Sequence, residues 1–527
     1  MSSRLRRLRP PPRFTAPQVS FTGVRDSLDI TTGHARKAFN LQNVYPQDAE
    51  FGGGLAGRPG FVVLNETQIS GEPAVRHIKS FQQNDGTRYT VAFADDKMYE
   101  VNWATGVLTD VTPVGPTIDS SADIFTVFFA DQLIVSDGVN KPWAWDGATA
   151  TVLTDAPIAF GQPVVYFAKL FFIDSVDRTM IQWSEENDPE TGYTAGVFNN
   201  AWNLIQVANS PLYALAATEE ALYYFRAYGI GAVVGSVTPD FASTGVQEAV
   251  SSTIGTRSPA SVLVLEREIW FLDAQNRPQI IRAGGGLLED AWKDARETAR
   301  VVSIIPDDQA RSHTVLWPWA RLVLFCTISQ SALNPDRIIV YDSRRHEFVG
   351  VWNGFEFSTA ALVEDASGDP ILVHGSLDGY IYRHGQPRGT LWSNDFVAGE
   401  EAITHVVDGT ALGYAIKDES RFTRLDIAFR NLSNITGLEL QTRTPYTTQG
   451  QTLPDLASGG AVWGDPGTEW GDAVWSSGEA EAHVAVGLND LGRWLRVRIE
   501  HATAGEQFGF LGWQVEGTGH ADPPQAQ

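Results

Sequence analysis

The phrase Val91-Ala92-Phe93-Ala94-Asp95 returns as Val127-Phe128-Phe129-Ala130-Asp131 and again as Val165-Tyr166-Phe167-Ala168-Lys169, at intervals of 36 and 38 residues. Each copy passes through a polar turn into a second apolar run, at residues 97–101, 133–135 and 170–173. A period of this length built from paired strands belongs to stacked or radial all-β repeats. One such unit cannot bury its own apolar face, so its neighbours must cover it. The sequence therefore predicts an all-β chain headed by a β-propeller.

Further strand pairs continue the pattern. Residues 212–217 lead into 222–225, 261–265 into 269–272, 322–326 pair with 337–341, and 358–363 precede 371–374 and 380–382. Six or seven blades fit, over residues 40–390, with the period loosening toward about 50 as loops are inserted. One stretch reads differently. In residues 287–302, Leu288, Trp292, Ala295, Ala299 and Val302 recur at helical spacing, which predicts a helix packed outside a blade, with a partner-binding role as the sharper alternative. From 400 to 517 short segments alternate apolar and polar residues, the pattern of half-buried antiparallel strands, so a C-terminal β-sandwich is expected there. Residues 518–527 read as a flexible tail.

A formal charge of −24 disfavours general nucleic-acid binding, which needs lysine and arginine against phosphate. It suits a wall past which nucleic acid slides without adhering. The first thirteen residues oppose this balance: Arg4, Arg6, Arg7, Arg9 and Arg13 are accompanied by no acid, and Pro10-Pro11-Pro12 forbids a helix. Residues 1–39 are expected to form an extended basic arm that is either solvated or docks on an acidic partner. No apolar run approaches the roughly 20 residues of a membrane-spanning helix, and no export signal is visible. The single cysteine, Cys326, sits in an apolar run and reads as a small buried hydrophobe. In the C-terminal region Trp463, Trp470 and Trp475 punctuate a glycine- and aspartate-rich loop. Three readings stay open for them: burial against the sandwich, a protein contact, or a sugar-stacking platform.

Catalytic signatures are sparse. Gly52, Gly54 and Gly57 match the spacing of a dinucleotide fingerprint, but Pro59 and Gly60 follow where a helix should begin, so they are read as a loop entering the first blade. The densest carboxylate cluster is Glu185, Glu186, Asp188 and Glu190. A propeller glycosidase would need two carboxylates facing across a sugar bond, whereas Asp188-Pro189 is ordinary turn chemistry. No catalytic residue, cofactor or metal ligand is assigned.

Several fragments together resemble one family. Met180-Ile181-Gln182-Trp183-Ser184 precedes Asn187-Asp188-Pro189-Glu190; Asn43-Val44-Tyr45-Pro46 is followed by Gly57-Arg58-Pro59-Gly60. Leu222-Tyr223-Tyr224-Phe225, Gly255-Thr256-Arg257-Ser258-Pro259-Ala260-Ser261 and Ile269-Trp270-Phe271-Leu272-Asp273 follow in order. This pattern, over residues 40–290, is similar to the packaged-DNA stabilisation or tail nozzle proteins of short-tailed bacteriophages. The resemblance implies a virion structural subunit in a homo-oligomeric ring, a hexamer, contacting portal, adaptor and tail fibres or needle. DNA would pass through the lumen without sequence-specific binding, and no catalytic residues would be present. Assembly would take place in the host cytoplasm. Two rival expectations are a receptor- or carbohydrate-binding tail protein using the three tryptophans, and a propeller glycosidase using Glu185 or Glu186.

Overall fold

The computed structural model describes residues 13–19, 23–24, 37–46, 54–193, 201–203, 211–234, 246–275, 277–282, 287–290, 313–317, 321–328, 332–344, 347–365, 367–385, 394–396, 400–409, 420–431, 435–456, 480–492, 494–504, 506 and 508–519. Among them the regular elements are β-strands and one short 3-10 turn, Pro259–Ser261. The chain is all-β, as its repeats predict.

Among the described residues, seven groups of antiparallel strands follow one another. The first runs Val75–Gln82, Arg88–Ala94, Lys97–Val101 and Leu108–Asp110, each strand paired with the next. Groups two to six repeat this four-strand meander, starting at Phe125, Ala159, Leu212, Leu263 and His313. The seventh contributes only Thr359–Glu364, Pro370–Gly375 and Ile381–His384; its fourth strand is Phe61–Val63, from far earlier in the chain. The opening strand of each group lies beside the opening strand of the next, and Thr359–Glu364 lies beside Val75–Gln82.

The recurring phrase turns out to encode a tight hairpin rather than a fixed place in a sheet. Its first copy forms strands two and three of the first group; its second and third copies form strands one and two of theirs. At the hairpin tips Ala130 and Asp131 have φ of 50° and 65°, and Phe167 and Ala168 have 47° and 55°. Two consecutive residues at positive φ match the twist of the flanking strands. The step between groups is about 50 residues, except from the second to the third.

Period-two alternation explains why neighbours are needed. In Leu222-Tyr223-Tyr224-Phe225, Leu222 and Tyr224 enter a core shared with Phe171 and Trp183 of the third group. Tyr223 and Phe225 enter another, shared with Ile269 and Phe271 of the fifth. The same holds all along the chain: each successive pair of groups shares one apolar cluster, and Val75 and Ile78 of the first share theirs with Val363 and Ile371 of the seventh. Cys326 is fully buried in the cluster between groups six and seven.

The C-terminal strands form two sheets that share a core, with Leu425, Ile427 and Phe429 on one and Leu440, Val497 and Ile499 on the other. Both sheets are completed by N-terminal strands. Gly509–Gly519 pairs with Arg13–Val19 on one side and Ser420–Asn431 on the other, and also with Leu55–Gly57. Lys37–Gln42 pairs with His405–Gly409 and runs parallel to Glu347–Asn353 of the sixth group. A Cβ on Gly350 would stand 2.4 Å from the Leu41 carbonyl, so glycine is what lets these strands approach.

Four expectations are corrected by this arrangement. The arm expected over 1–39 contains paired strands, including Arg13 opposite Thr518, because distant edges offer its backbone partners; Arg4, Arg6, Arg7 and Arg9 lie outside the described residues. Val44–Pro46 and Leu55–Gly57, within the 40–390 assigned to the repeats, join the C-terminal sheets, as does Lys37–Gln42 across that boundary, and the glycine-rich stretch leads into the last group rather than the first. The helix expected over 287–302 begins instead as Leu287–Asp290, the outer strand of the fifth group, since pairing with Pro278–Arg282 overrides the local apolar spacing; residues 291–302 lie outside the described residues. The tail expected from 518 is still strand through Gly519.

Candidate functional site

The opening strands of all seven groups border one cavity of about 640 Å³. Its wall is mostly Ala, Val, Pro and Thr, but the Val75–Gln82 strand contributes Arg76, His77 and Lys79. His77 Nε2 lies 2.8 Å from the Thr126 hydroxyl, and Gln162 donates to the Thr126 carbonyl at 2.6 Å. Burial, aided by the nearby Lys79 charge, pulls the His77 imidazole down to about 3, so it is neutral near pH 7. Burial also lowers the Lys79 ammonium. It lowers the Arg76 guanidinium too, against the opposing pull of Asp119, Asp123, Asp95 and Asp137. Arg76 further donates to the carbonyls of Ala122 and Asp95.

Sequence reasoning missed this site because its residues come in short runs from seven strands far apart in the chain. The available signal was the composition of one strand: Arg76 and Lys79 place cations in a segment whose counterparts in the other groups contribute no lysine or arginine to the cavity wall.

A second polar centre joins the repeats to the C-terminal sheets. Arg58 is buried, donates to Asn43 Oδ1 at 3.1 Å and to the carbonyls of Pro59 and Asn353 at 3.4 Å, and lies 4.9 Å from the Phe355 ring centroid. Asn43, held at φ 53°, donates to the Asn353 side chain and to the Thr404 carbonyl. Nearby His374 and His384 meet at 2.8 Å beside Phe61, and His405 stacks on Phe508. Burial keeps all three imidazoles neutral, the His384 ring down to about 3, with the charge of Arg58 adding to the effect.

The acidic cluster forms a clasp. Asp188 accepts from the Glu190 amide at 2.9 Å and from the Thr191 hydroxyl at 2.7 Å, which holds its carboxyl below the usual range. Glu190 accepts from the Thr154 amide at 2.9 Å and hydroxyl at 2.6 Å, tying the third group to the second. Glu185 lies 3.4 Å from Lys169, and Glu186 is exposed. Replacing Asp188 by alanine is expected to cost about 1–2 kcal/mol through the lost turn bonds, read as a lower urea midpoint. Trp463, Trp470 and Trp475 lie outside the described residues. Among the described residues no cluster of His, Cys, Asp and Glu has the makings of a metal site, and no helix is long and apolar enough to cross a membrane.

No protein-family model matches the chain, and no curated protein does. Among solved structures, it is similar to PorZ, described as an essential bacterial surface component of the type-IX secretion system of Porphyromonas gingivalis, at 10% identity and a TM-score of 0.39. The match covers 68% of this chain and 44% of PorZ, so the chain spans less than half of that protein's length.

Proposed function

We propose that the seven groups of strands close into a seven-bladed β-propeller, with Phe61–Val63 as the outer strand of the last blade, followed by a β-sandwich. On this reading the chain is a virion structural protein, a tail nozzle or hub subunit of a short-tailed phage. Six copies form a ring at the distal end of the DNA channel, beneath portal and adaptor. The support is the way residues that carry the family resemblance converge: Asn43 bonds Arg58 at 3.1 Å, and Asp188 and Glu190 build a single clasp after Trp183. The neighbouring clusters that run from the first group round to the seventh support the propeller.

The mechanism is mechanical and electrostatic. A ring of strongly acidic subunits repels phosphate and lowers friction on passing DNA, while loops narrow the exit until ejection. Reconstitution tests this reading. Purified chain is expected to form closed rings in negative-stain micrographs and to add to the distal end of portal–adaptor complexes. Replacing Arg4, Arg6, Arg7 and Arg9 by serine should weaken that docking. A monomer that ignores those complexes, yet binds glycans through Trp463, Trp470 and Trp475, would overturn it in favour of a receptor-binding protein.

A further inference from the structure

We propose that the strand Thr448–Thr452 is a docking edge for a second copy of this chain, which adds its own Thr448–Thr452 antiparallel and joins two C-terminal sheets into one. The strand ends its sheet: it pairs with Glu439–Arg443 on one side and, among the described residues, with no strand on the other. The pairing fixes which of its backbone groups are free. Thr444 donates to the Thr447 carbonyl and Leu453 to the Leu438 carbonyl, so the hydrogen-bonded pairs between them are Thr442 with Gln449 and Leu440 with Gln451. Thr448, Gly450 and Thr452 therefore turn their N–H and C=O groups outward. Natural sheet edges are usually blunted by a charge, a proline, a bulge or a covering segment. Thr448–Thr452 has no charge and no proline, keeps an unbroken register and is exposed throughout. The outer strand of the other C-terminal sheet, Ala480–Gly492, is by contrast interrupted by a register shift between Gly487 and Asp490.

The strand is also its own complement. Thr-Gln-Gly-Gln-Thr reads the same in both directions, with Gly450 at the centre. A closed two-fold contact requires a surface that matches itself. Antiparallel pairing about Gly450 sets it opposite the second copy's Gly450, and sets Thr448 opposite the second copy's Thr452. These are the residues whose backbone groups point outward, so every free donor meets a free acceptor, in about six main-chain hydrogen bonds. Threonine pairs across neighbouring strands add to the stability. Charge agrees with the same register. The Thr452 hydroxyl donates to Glu439 at 2.9 Å, and Arg443 lies beside Thr448. Each outer row across the seam thus begins at Glu439 of one copy and ends at the second copy's Arg443. Two-fold symmetry keeps this contact distinct from the six-membered ring proposed above, whose subunits would meet head to tail.

Cysteine cross-linking of the full chain tests the register. Cys326 is the single cysteine and is fully buried, so a cysteine placed on the edge supplies the reactive thiol. Facing Cα atoms in a hydrogen-bonded antiparallel pair lie about 5.5 Å apart, within disulfide reach. The two copies of residue 448 would be four residues apart along the seam, about 13 Å, and beyond it. Mild oxidation is therefore expected to turn Gly450→Cys into a covalent dimer at least tenfold faster than Thr448→Cys. Sedimentation velocity gives the second readout. Pairing of the wild-type chain should weaken at least tenfold in Gly450→Pro, which removes an outward N–H at an edge position that tolerates proline. It should persist in Gly450→Thr, since a Cβ there meets nothing nearer than the Leu440 carbonyl at 4.0 Å. Equal cross-linking at 448 and 450, or association that Gly450→Pro leaves unchanged, would overturn the proposal. Closed rings without a cross-link at 450 would remove this contact and leave the ring reading standing; a cross-linked pair without rings would do the reverse. Should Gly450→Pro fail to fold, the comparison of the two cysteine variants decides alone.

Discussion

Lowering the pH from 6.5 to 4.5 is expected to unfold the protein. His77, His374, His384 and His405 are held neutral in the folded chain by burial. Once unfolded, each imidazole returns to an ordinary pKa of about 6.5 and takes up a proton. Because the folded values are depressed, the unfolded state binds more protons throughout this window, so stability rises with pH. The stability is complete above about pH 6.5 and drains as pH falls toward the folded values. Each group contributes a slope of up to about 1.4 kcal/mol per pH unit. Two units below the unfolded value, the two rings brought down to about 3, His77 and His384, together reach on the order of 5 kcal/mol, a large share of the stability of a typical domain, and His374 and His405 act in the same direction. Urea midpoints followed by tryptophan fluorescence from pH 8 to 4 would show the decline. His384→Gln should remove about one proton's share of the slope. A midpoint that stays level from pH 6.5 to 4.5 would contradict the neutral assignment.

Arg58→Met is expected to cost about 3–5 kcal/mol, from a buried hydrogen-bonding centre stripped of its donors. The substitution conserves much of the side chain's length and leaves the Phe355 face covered. It withdraws donors from Asn43 and from the carbonyls of Pro59 and Asn353, all inside the protein. Arg58→Lys should recover only part of this, since one ammonium cannot reproduce a planar fork directed at three acceptors. A second readout separates the charge from the packing. Arg58 helps hold His374, His384 and His405 neutral, so Arg58→Met should flatten the acid slope as well as lower the midpoint at pH 8. A variant with wild-type midpoint and wild-type slope would show that the knot carries no weight.

These two centres mark how far the sequence could be read. Hairpins were legible because their information is local: the phrases at 91, 127 and 165 carry both strands and the turn between them. Their place within a sheet was not, since the identical pattern serves as strands two and three in one group and one and two in others. Strands 222–225 and 269–272 were found from their apolar runs, and both lie in the interiors those runs imply. Residues 287–290 were misjudged because apolar spacing in a short stretch cannot say which partner its backbone will find. Asn43 and Arg58 stood out as part of a family-like pattern, yet their meeting with Asn353 depends on strands about 300 residues apart. The cavity was hidden for the same reason: Lys79 and Thr314 come from groups one and six.

The interlocking of the two chain ends has a consequence for synthesis. Arg13–Val19 waits for Gly509–Gly519, and Phe61–Val63 waits for Ile381–His384. A ribosome therefore delivers the earliest segments long before their partners leave the exit tunnel, and both stay as open edges through most of translation. Nascent chains stalled before residue 380 should recruit holdase chaperones, and those extended beyond 519 should shed them, because only the later strand of each pair gives the earlier one somewhere to go.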